Sequence, residues 1–226
     1  MDYFHWVRRE IHPLLPKECS SILEVGAGAG ATLKWLKGYY PNAKTTGVEI
    51  NPGLLDELER NVDRAIIGPV DDIIVQLKKY DLILLLDVLE HLPDPSATLQ
   101  RLAKTLNPGG SVIISVPNIA HFSVSLPLLL QRRFDYQEAG IMDRTHLKFF
   151  VEDTAIKLLS DAGLKVTDAL ISGMERRAKI FNFFSLGLLR HYLARQYIML
   201  GQLSDRHMVQ QAIRWQVATD DGAKAG

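Results

Sequence analysis

The chain of 226 residues contains one cysteine, Cys19, carries no net charge and has no long apolar run. A single cysteine excludes an intrachain disulfide framework. Lysine and arginine number 26 against 26 aspartates and glutamates, so no overall field draws the chain to nucleic acid or to an anionic membrane, and any basic footprint must be local. The apolar stretches Leu82 to Leu86 and Leu126 to Leu130 fall far short of the roughly 18 residues that mark a membrane-spanning helix. The opening residues, Met1 to Arg8, lack the basic-then-apolar pattern of a secretory signal, so a cytoplasmic location is expected. Internal repeats and low-complexity tracts are also missing. The length suits one α/β core and is short for two.

What the chain does have is alternation. Short β-branched or leucine-rich runs at Ser21 to Val25, Thr45 to Glu49, Ala65 to Gly68, Asp81 to Asp87 and Ser111 to Val116 are separated by amphipathic stretches, the pattern of a parallel sheet with crossover helices. Asn51-Pro52 and Asp94-Pro95 each place a capping side chain before a proline at the first helical position. A helix from Glu152 to Ala162 closes at Gly163, and a strand from Leu164 to Ile171 follows. The tail from Ser204 to Gly226 is predicted to hold one short helix around Met208 to Trp215 and then a disordered end.

The first chemical signal is Ile22-Leu23-Glu24-Val25-Gly26-Ala27-Gly28-Ala29-Gly30, a strand running into a glycine turn and then a helix from about Ala31. Glycines there let the backbone approach a ligand and leave helix amides pointing at it. Gly26-x-Gly28-x-x-Ala31 also satisfies the dinucleotide fingerprint, and Glu49, about 20 residues on, suits the ribose of either kind of nucleotide. Glu24 helps to separate the two. A carboxylate just before the turn repels a pyrophosphate but suits a ligand bearing an ammonium and a sulfonium.

Glu24-x-Gly26-x-Gly28-x-Gly30 resembles the first motif of class I methyltransferases, Gly47-Val48-Glu49-Ile50 their second, and Asp87-Val88-Leu89-Glu90-His91-Leu92-Pro93-Asp94-Pro95 their fourth. Leu106-Asn107-Pro108-Gly109-Gly110 is similar to the turn before their fifth strand. Asp143-Arg144-Thr145-His146-Leu147-Lys148-Phe149-Phe150 is similar to a segment of the branch that includes ubiquinone-biosynthesis O-methyltransferases and enzymes of surface-glycan clusters. The resemblance implies a Rossmann-like, seven-stranded, mostly parallel sheet with helices on both faces and an antiparallel last strand, here Gln196 to Gln202, beside the sixth. It implies a methyltransferase domain over residues 1–203, with acceptor-side segments at 122–143 and 174–195, ahead of the tail at 204–226. S-adenosylmethionine would be the cofactor. Gly26, Gly28 and Gly30 would shape its pocket, Glu24 would face its charged groups and Glu49 its ribose. Asp87 would lie near the methionine portion, with Ile50 and Val88 beside these residues in the same motifs. Val70, through its backbone, and Asp71 would face the adenine. Two positions depart from the pattern: Pro69 stands where an acidic residue is frequent and offers no amide hydrogen, and Val151 replaces a helix-capping threonine.

Methyl transfer from a sulfonium is an in-line displacement, driven largely by holding acceptor and methyl carbon in alignment. An oxygen acceptor still gains from a base, and His91, His146 and Asp143 are the candidates. Asp87, Glu90 and His91 share one face if that stretch is helical, an arrangement that would suit a divalent cation. The full ligand set is lacking, so no metal is expected. The acceptor is expected to be a small molecule or lipid-linked. If helical, the Phe-rich stretch 180–189 is apolar over most of its circumference and so suits a lid, a homodimer surface or a bilayer interface. A nicotinamide-dependent oxidoreductase, which would need a substrate domain and a catalytic Tyr-x-x-x-Lys, and a cofactor-binding partner protein without turnover are the competing readings.

Overall fold

Strand β4 (Tyr80–Leu86) has, from Leu82 to Leu86, the continuous apolar character of a strand covered on both faces. The computed structural model, which describes residues 3–174, 182–203 and 212–218, shows how the two faces are divided. Ile83 and Leu85 enter one buried cluster with Leu99, Leu102, Ala155 and Leu159. Leu82 and Leu84 enter the other with Ile11, Leu33, Leu36 and Leu58. The two-residue period of a strand thus feeds two cores from one run of leucines and isoleucine.

Around β4 lie β1 (Ser21–Val25), β2 (Lys44–Glu49), β3 (Arg64–Ile67), β5 (Leu106–Pro117), β6 (Leu164–Ser172), β7 (Gln196–Leu203) and β8 (Arg214–Val217). The order across the sheet is β3-β2-β1-β4-β5-β7-β6-β8. All neighbouring pairs are parallel except those made by β7, which runs antiparallel to β5 and to β6. The Rossmann-like architecture with its inserted antiparallel strand is therefore present. An eighth strand is added: β8 pairs with Asp168 to Ile171 of β6, with the Arg214 Nε 2.8 Å from the Asp168 carboxylate and Trp215 packed edge-on against Tyr197. Arg214 and Trp215 are thus in a strand rather than the helix predicted around Met208 to Trp215, and the sheet extends beyond residue 203. The remainder of that predicted helix up to residue 211 lies outside the described residues, as does the end of the tail from 219.

The crossover helices are α1 (Ala31–Leu36), α2 (Leu55–Asn61), α3 (Val70–Ile73), α4 (Pro95–Ala103), α5 (Phe122–Gln131) and α6 (Glu152–Asp161). Asp94 caps α4 by accepting from the Ala97 amide at 3.0 Å, and Asn51 accepts from Gly53 at 3.0 Å ahead of α2. Without a threonine at Val151, the Thr154 hydroxyl takes up the Val151 amide at 2.9 Å, so that amide at the start of α6 is satisfied. Among the described residues no helix is long and apolar enough to cross a membrane. The first glycine turn and the ends of β2, β4 and β5 meet along the carboxyl edge of the sheet, where ligands bind in open α/β folds.

Candidate active site

The turn after β1 is built for close approach. Gly26, Gly28 and Gly30 all have positive φ, and a Cβ on Gly28 would lie 2.8 Å from the Phe4 carbonyl oxygen. The amides of Gly26 and Ala27 donate to Val48 at 2.8 and 3.0 Å, which ties the turn to β2. Glu49, at the end of β2, completes the link. One carboxylate oxygen accepts from Gly28 at 2.8 Å and the other from Ile50 and Asn51 at 2.9 Å each. The glycine turn and the acid predicted to hold a ribose are thus joined directly, and three amides fix the carboxylate. Ile50 beside it is 68% exposed, an apolar surface at the sheet edge.

Glu24 lies beneath the turn, 3% exposed, with one carboxyl oxygen that has no hydrogen-bond partner. Burial raises its pKa to about 8, against the pull of the Arg8 guanidinium and with a further push from Glu49. An orphaned buried carboxyl oxygen next to a glycine turn fits an ammonium-bearing nucleoside. The Gly28 cradle fits one too.

Asp87 ends β4 with φ +58. Its Oδ2 is 2.7 Å from an Arg8 nitrogen, Ser115 donates to its Oδ1 at 2.8 Å, and Gln196 also donates to Oδ1. Arg8 reaches Ser115 and Gln196 as well, at 3.3 and 3.2 Å. Three residues that sequence reasoning missed therefore converge on Asp87 from the N-terminal segment, β5 and β7. The same N-terminal segment crosses the glycine turn, where the Phe4 carbonyl accepts from Ala29 at 3.0 Å. Val88 meets the turn from the other side, its Cγ2 standing 2.6 Å from where a Gly26 Cβ would be.

On the adenine side, Val70 opens α3 and is buried. The Asp71 carboxylate turns to α4, accepting from Thr98 at 2.8 Å and pairing with Arg101 at 3.1 Å. Asp71 therefore holds α3 against α4 in this structure.

The base candidates are brought together. Glu90 and His91 lie in a single 3-10 turn, Leu89–His91, and the Glu90 carbonyl accepts from Leu147 and Lys148 at 2.7 and 3.0 Å, latching the segment that carries His146 onto the motif. The His91 and His146 rings are 4.8 Å apart in an edge-to-face arrangement. His91 Nδ1 lies 3.3 Å from the Thr145 carbonyl and His146 Nδ1 lies 3.1 Å from that of Ile141, contacts that leave each Nε2 as the acceptor nitrogen. Burial lowers the His146 pKa. Asp143 accepts from the Thr145 amide and hydroxyl at 2.8 and 2.7 Å. Burial pushes its carboxyl upward, but these bonds outweigh it and hold it below the usual range. Glu90 is 1% exposed with an unpartnered oxygen. Burial, then the charge of Asp87, raises its pKa well above the ordinary value. Glu90, His91 and His146 offer ligand atoms within 4.8 Å of one another; Asp87, the third residue of the sequence-level cluster, is instead held by Arg8, Ser115 and Gln196.

Arg144 pairs with Glu138. Phe183, Phe184, Leu186 and Leu188 are exposed, while 180 and 181 lie outside the described residues. The short helix behind this stretch, Arg190–Leu193, is anchored by Arg190 on Glu152 at 2.8 Å.

A family model described as a methyltransferase domain matches residues 2–169. The chain belongs to the methyltransferase-domain family. The ubiquinone biosynthesis O-methyltransferase of Hydrogenovibrio crunogenus is 30% identical over 157 residues, 65% of this methyltransferase-domain chain and 63% of that protein. The malonyl-[acyl-carrier protein] O-methyltransferase of Anoxybacillus flavithermus is 30% identical over 115 residues, 48% of the chain and 41% of that protein. The chain thus spans about two fifths to two thirds of the length of these relatives. Among solved structures, a SAM-dependent methyltransferase from Archaeoglobus fulgidus superposes with a TM-score of 0.64 at 18% identity, over 86% of this chain and 91% of the other. S-adenosylmethionine is the cofactor that this membership implies.

Proposed function

We propose that the chain transfers a methyl group from S-adenosylmethionine to an oxygen of a small-molecule, sugar or lipid-linked acceptor by in-line displacement. The observation that carries this reading is the 2.8 Å bond from the Gly28 amide to Glu49, which joins the glycine turn and the ribose acid into one preformed nucleotide cradle. Glu24, Ile50, Val70 and Val88 would line the rest of it. Asp87, with Arg8 and Gln196 around it, would stand at the methionine end. His91, His146 and Asp143 follow on the same edge as the groups that would take a proton from an acceptor hydroxyl. The O-methyltransferases among the relatives support oxygen as the methylated atom.

The donor set of Glu90, His91 and His146 favours a second version, in which a divalent cation acidifies the acceptor hydroxyl. The exposed Phe183, Phe184, Leu186 and Leu188 support a contact surface, for which a second copy of the chain and a bilayer interface are the competing occupants. Sedimentation and vesicle flotation separate them. Calorimetric titration with S-adenosylmethionine, S-adenosylhomocysteine and nicotinamide dinucleotides tests the core of the proposal. Micromolar binding of the two sulfur nucleosides, lost in Glu49→Ala, is the expected result; binding of a dinucleotide alone would overturn it. Sulfur-nucleoside binding without turnover on a broad acceptor panel would favour a non-catalytic partner protein.

A further inference from the structure

Beside the His91–His146 pair, α5 and the loop after it enclose a cavity of about 570 Å³, within the range of small-molecule sites, roughly 300–1,000 Å³. Val124, Pro127, Phe134, Ile141 and Met142 supply an apolar wall. Two cations also line it, Arg133 and Arg195. Arg133 donates from Nε to the Asp135 carboxylate at 2.9 Å and pairs with it through a second nitrogen, so its charge is neutralised on the spot. The Arg195 side chain makes no ion pair or side-chain hydrogen bond among the described residues; its charge, after burial, helps to lower the pKa of the nearby His121 to about 4.

Arg195 is nevertheless placed with care. Its amide donates to Ser172 at 3.1 Å and its carbonyl accepts from Asn118 at 2.8 Å, which pins it at the carboxyl edge between β5 and β6. Its aliphatic stem lies over Gly173, where a Cβ would stand 2.8 Å from the Arg195 Cβ. Any larger residue at Gly173 would push the arginine away. The cavity also adjoins the proposed chemistry on two sides. The residue after Arg195, Gln196, donates to Asp87, and Ile141 in the cavity wall gives its carbonyl to His146.

We propose that this cavity is the acceptor subsite, and that Arg195 binds a carboxylate or phosphate carried on an acceptor with an apolar body. The inference rests on the methyl-transfer reading above. A guanidinium presents a planar fork that matches either anion through two parallel bonds. An unpaired one beside an apolar wall selects a molecule with charge at one end and hydrocarbon along its length. Held at that end, the acceptor would be oriented with its hydroxyl toward the histidine pair and Asp87.

The test uses the full chain loaded with S-adenosylhomocysteine and titrated with hexanoate, hexyl phosphate and hexanol. At least one of the two anions is expected to bind tenfold or more tightly than the alcohol, and whichever binds tighter names the acceptor's charged group. Arg195→Met is expected to abolish the preference while leaving S-adenosylhomocysteine affinity unchanged, which also shows that the variant folds. Equal binding of all three probes by the wild-type protein, or an anion preference that survives Arg195→Met, would overturn the proposal alone. Failure of the chain to bind S-adenosylhomocysteine at all would overturn the methyl-transfer reading and this proposal with it.

Discussion

Arg8 and Asp87, separated by 79 positions in sequence, are joined by a contact of 2.7 Å with both side chains mostly buried. The pair holds the N-terminal segment onto the end of β4. Charge-assisted hydrogen bonds of this kind contribute about 1.5–3 kcal/mol, so Arg8→Met is expected to lower the unfolding free energy by roughly that amount. Asp87 keeps Ser115 and Gln196 in the variant, so the loss stays below that of a fully stranded charge. Urea denaturation of Arg8→Met, Asp87→Asn and the double variant checks this. Additive losses would show that the two residues do not act as a pair.

Gly28 is the position where a single methyl group has the clearest predicted effect. Its φ of +54 disfavours any L side chain, and the added Cβ would meet the Phe4 carbonyl at 2.8 Å. Left-handed backbone costs a non-glycine residue about 1–2 kcal/mol, and the clash can be relieved only by moving the N-terminal segment. Gly28→Ala should therefore weaken S-adenosylhomocysteine binding and speed hydrogen exchange over residues 4–8. Unchanged exchange there would mean that the segment does not depend on the glycine turn.

The contrast between these two sites shows what could be read from sequence. The junction of the glycine turn, Gly26, Gly28 and Gly30, with Glu49 was legible because a strand, a glycine turn and an acid about 20 residues on form a local pattern with one geometric outcome. The surroundings of Asp87 were not. Ser115 and Gln196 lie 28 and 109 positions away, and no periodicity announces a hydrogen bond across three strands. Asp71 carried the motif's expectation of an adenine contact, yet Thr98 and Arg101 on the neighbouring helix hold its carboxylate. Strand β8 was missed for a related reason. Arg214–Val217 is too short for its alternation to stand out, and tertiary partners, Asp168 for Arg214 and Tyr197 for Trp215, fix its conformation.

His146 offers a test of how the acceptor loses its proton. Metal-free displacement predicts that His146→Asn lowers kcat by about 10²–10⁴-fold, the usual contribution of a general base, with cofactor affinity retained. It also predicts that dialysis against a chelator leaves the rate unchanged. Loss of activity on chelation, restored by added zinc or manganese, would instead assign Glu90, His91 and His146 to a cation, since imidazole and carboxylate donors suit such ions.

Glu24 is expected to link stability, and cofactor binding with it, to pH through one buried carboxyl. Its ordinary value of 4.5 applies to the unfolded chain, whereas burial lifts it to about 8 in the folded protein. A raised acid contributes its full stability below the unfolded value. Between the two values the unfolded chain has given up the proton and the folded chain has not, so this contribution falls by about 1.4 kcal/mol per pH unit. Above the folded value it is lost and the dependence levels off. Glu24→Gln cannot ionise, so its stability relative to wild type should climb with pH across that window in urea denaturation. If the cofactor ammonium meets Glu24, binding below the folded value should also release a proton. Calorimetry in buffers of different ionisation enthalpy reads that release directly, and Glu24→Gln should lack it. A stability difference independent of pH would mean that the Arg8 charge offsets burial and leaves Glu24 ionised near neutral pH in the folded protein, in which case the cofactor would meet a carboxylate rather than a neutral acid.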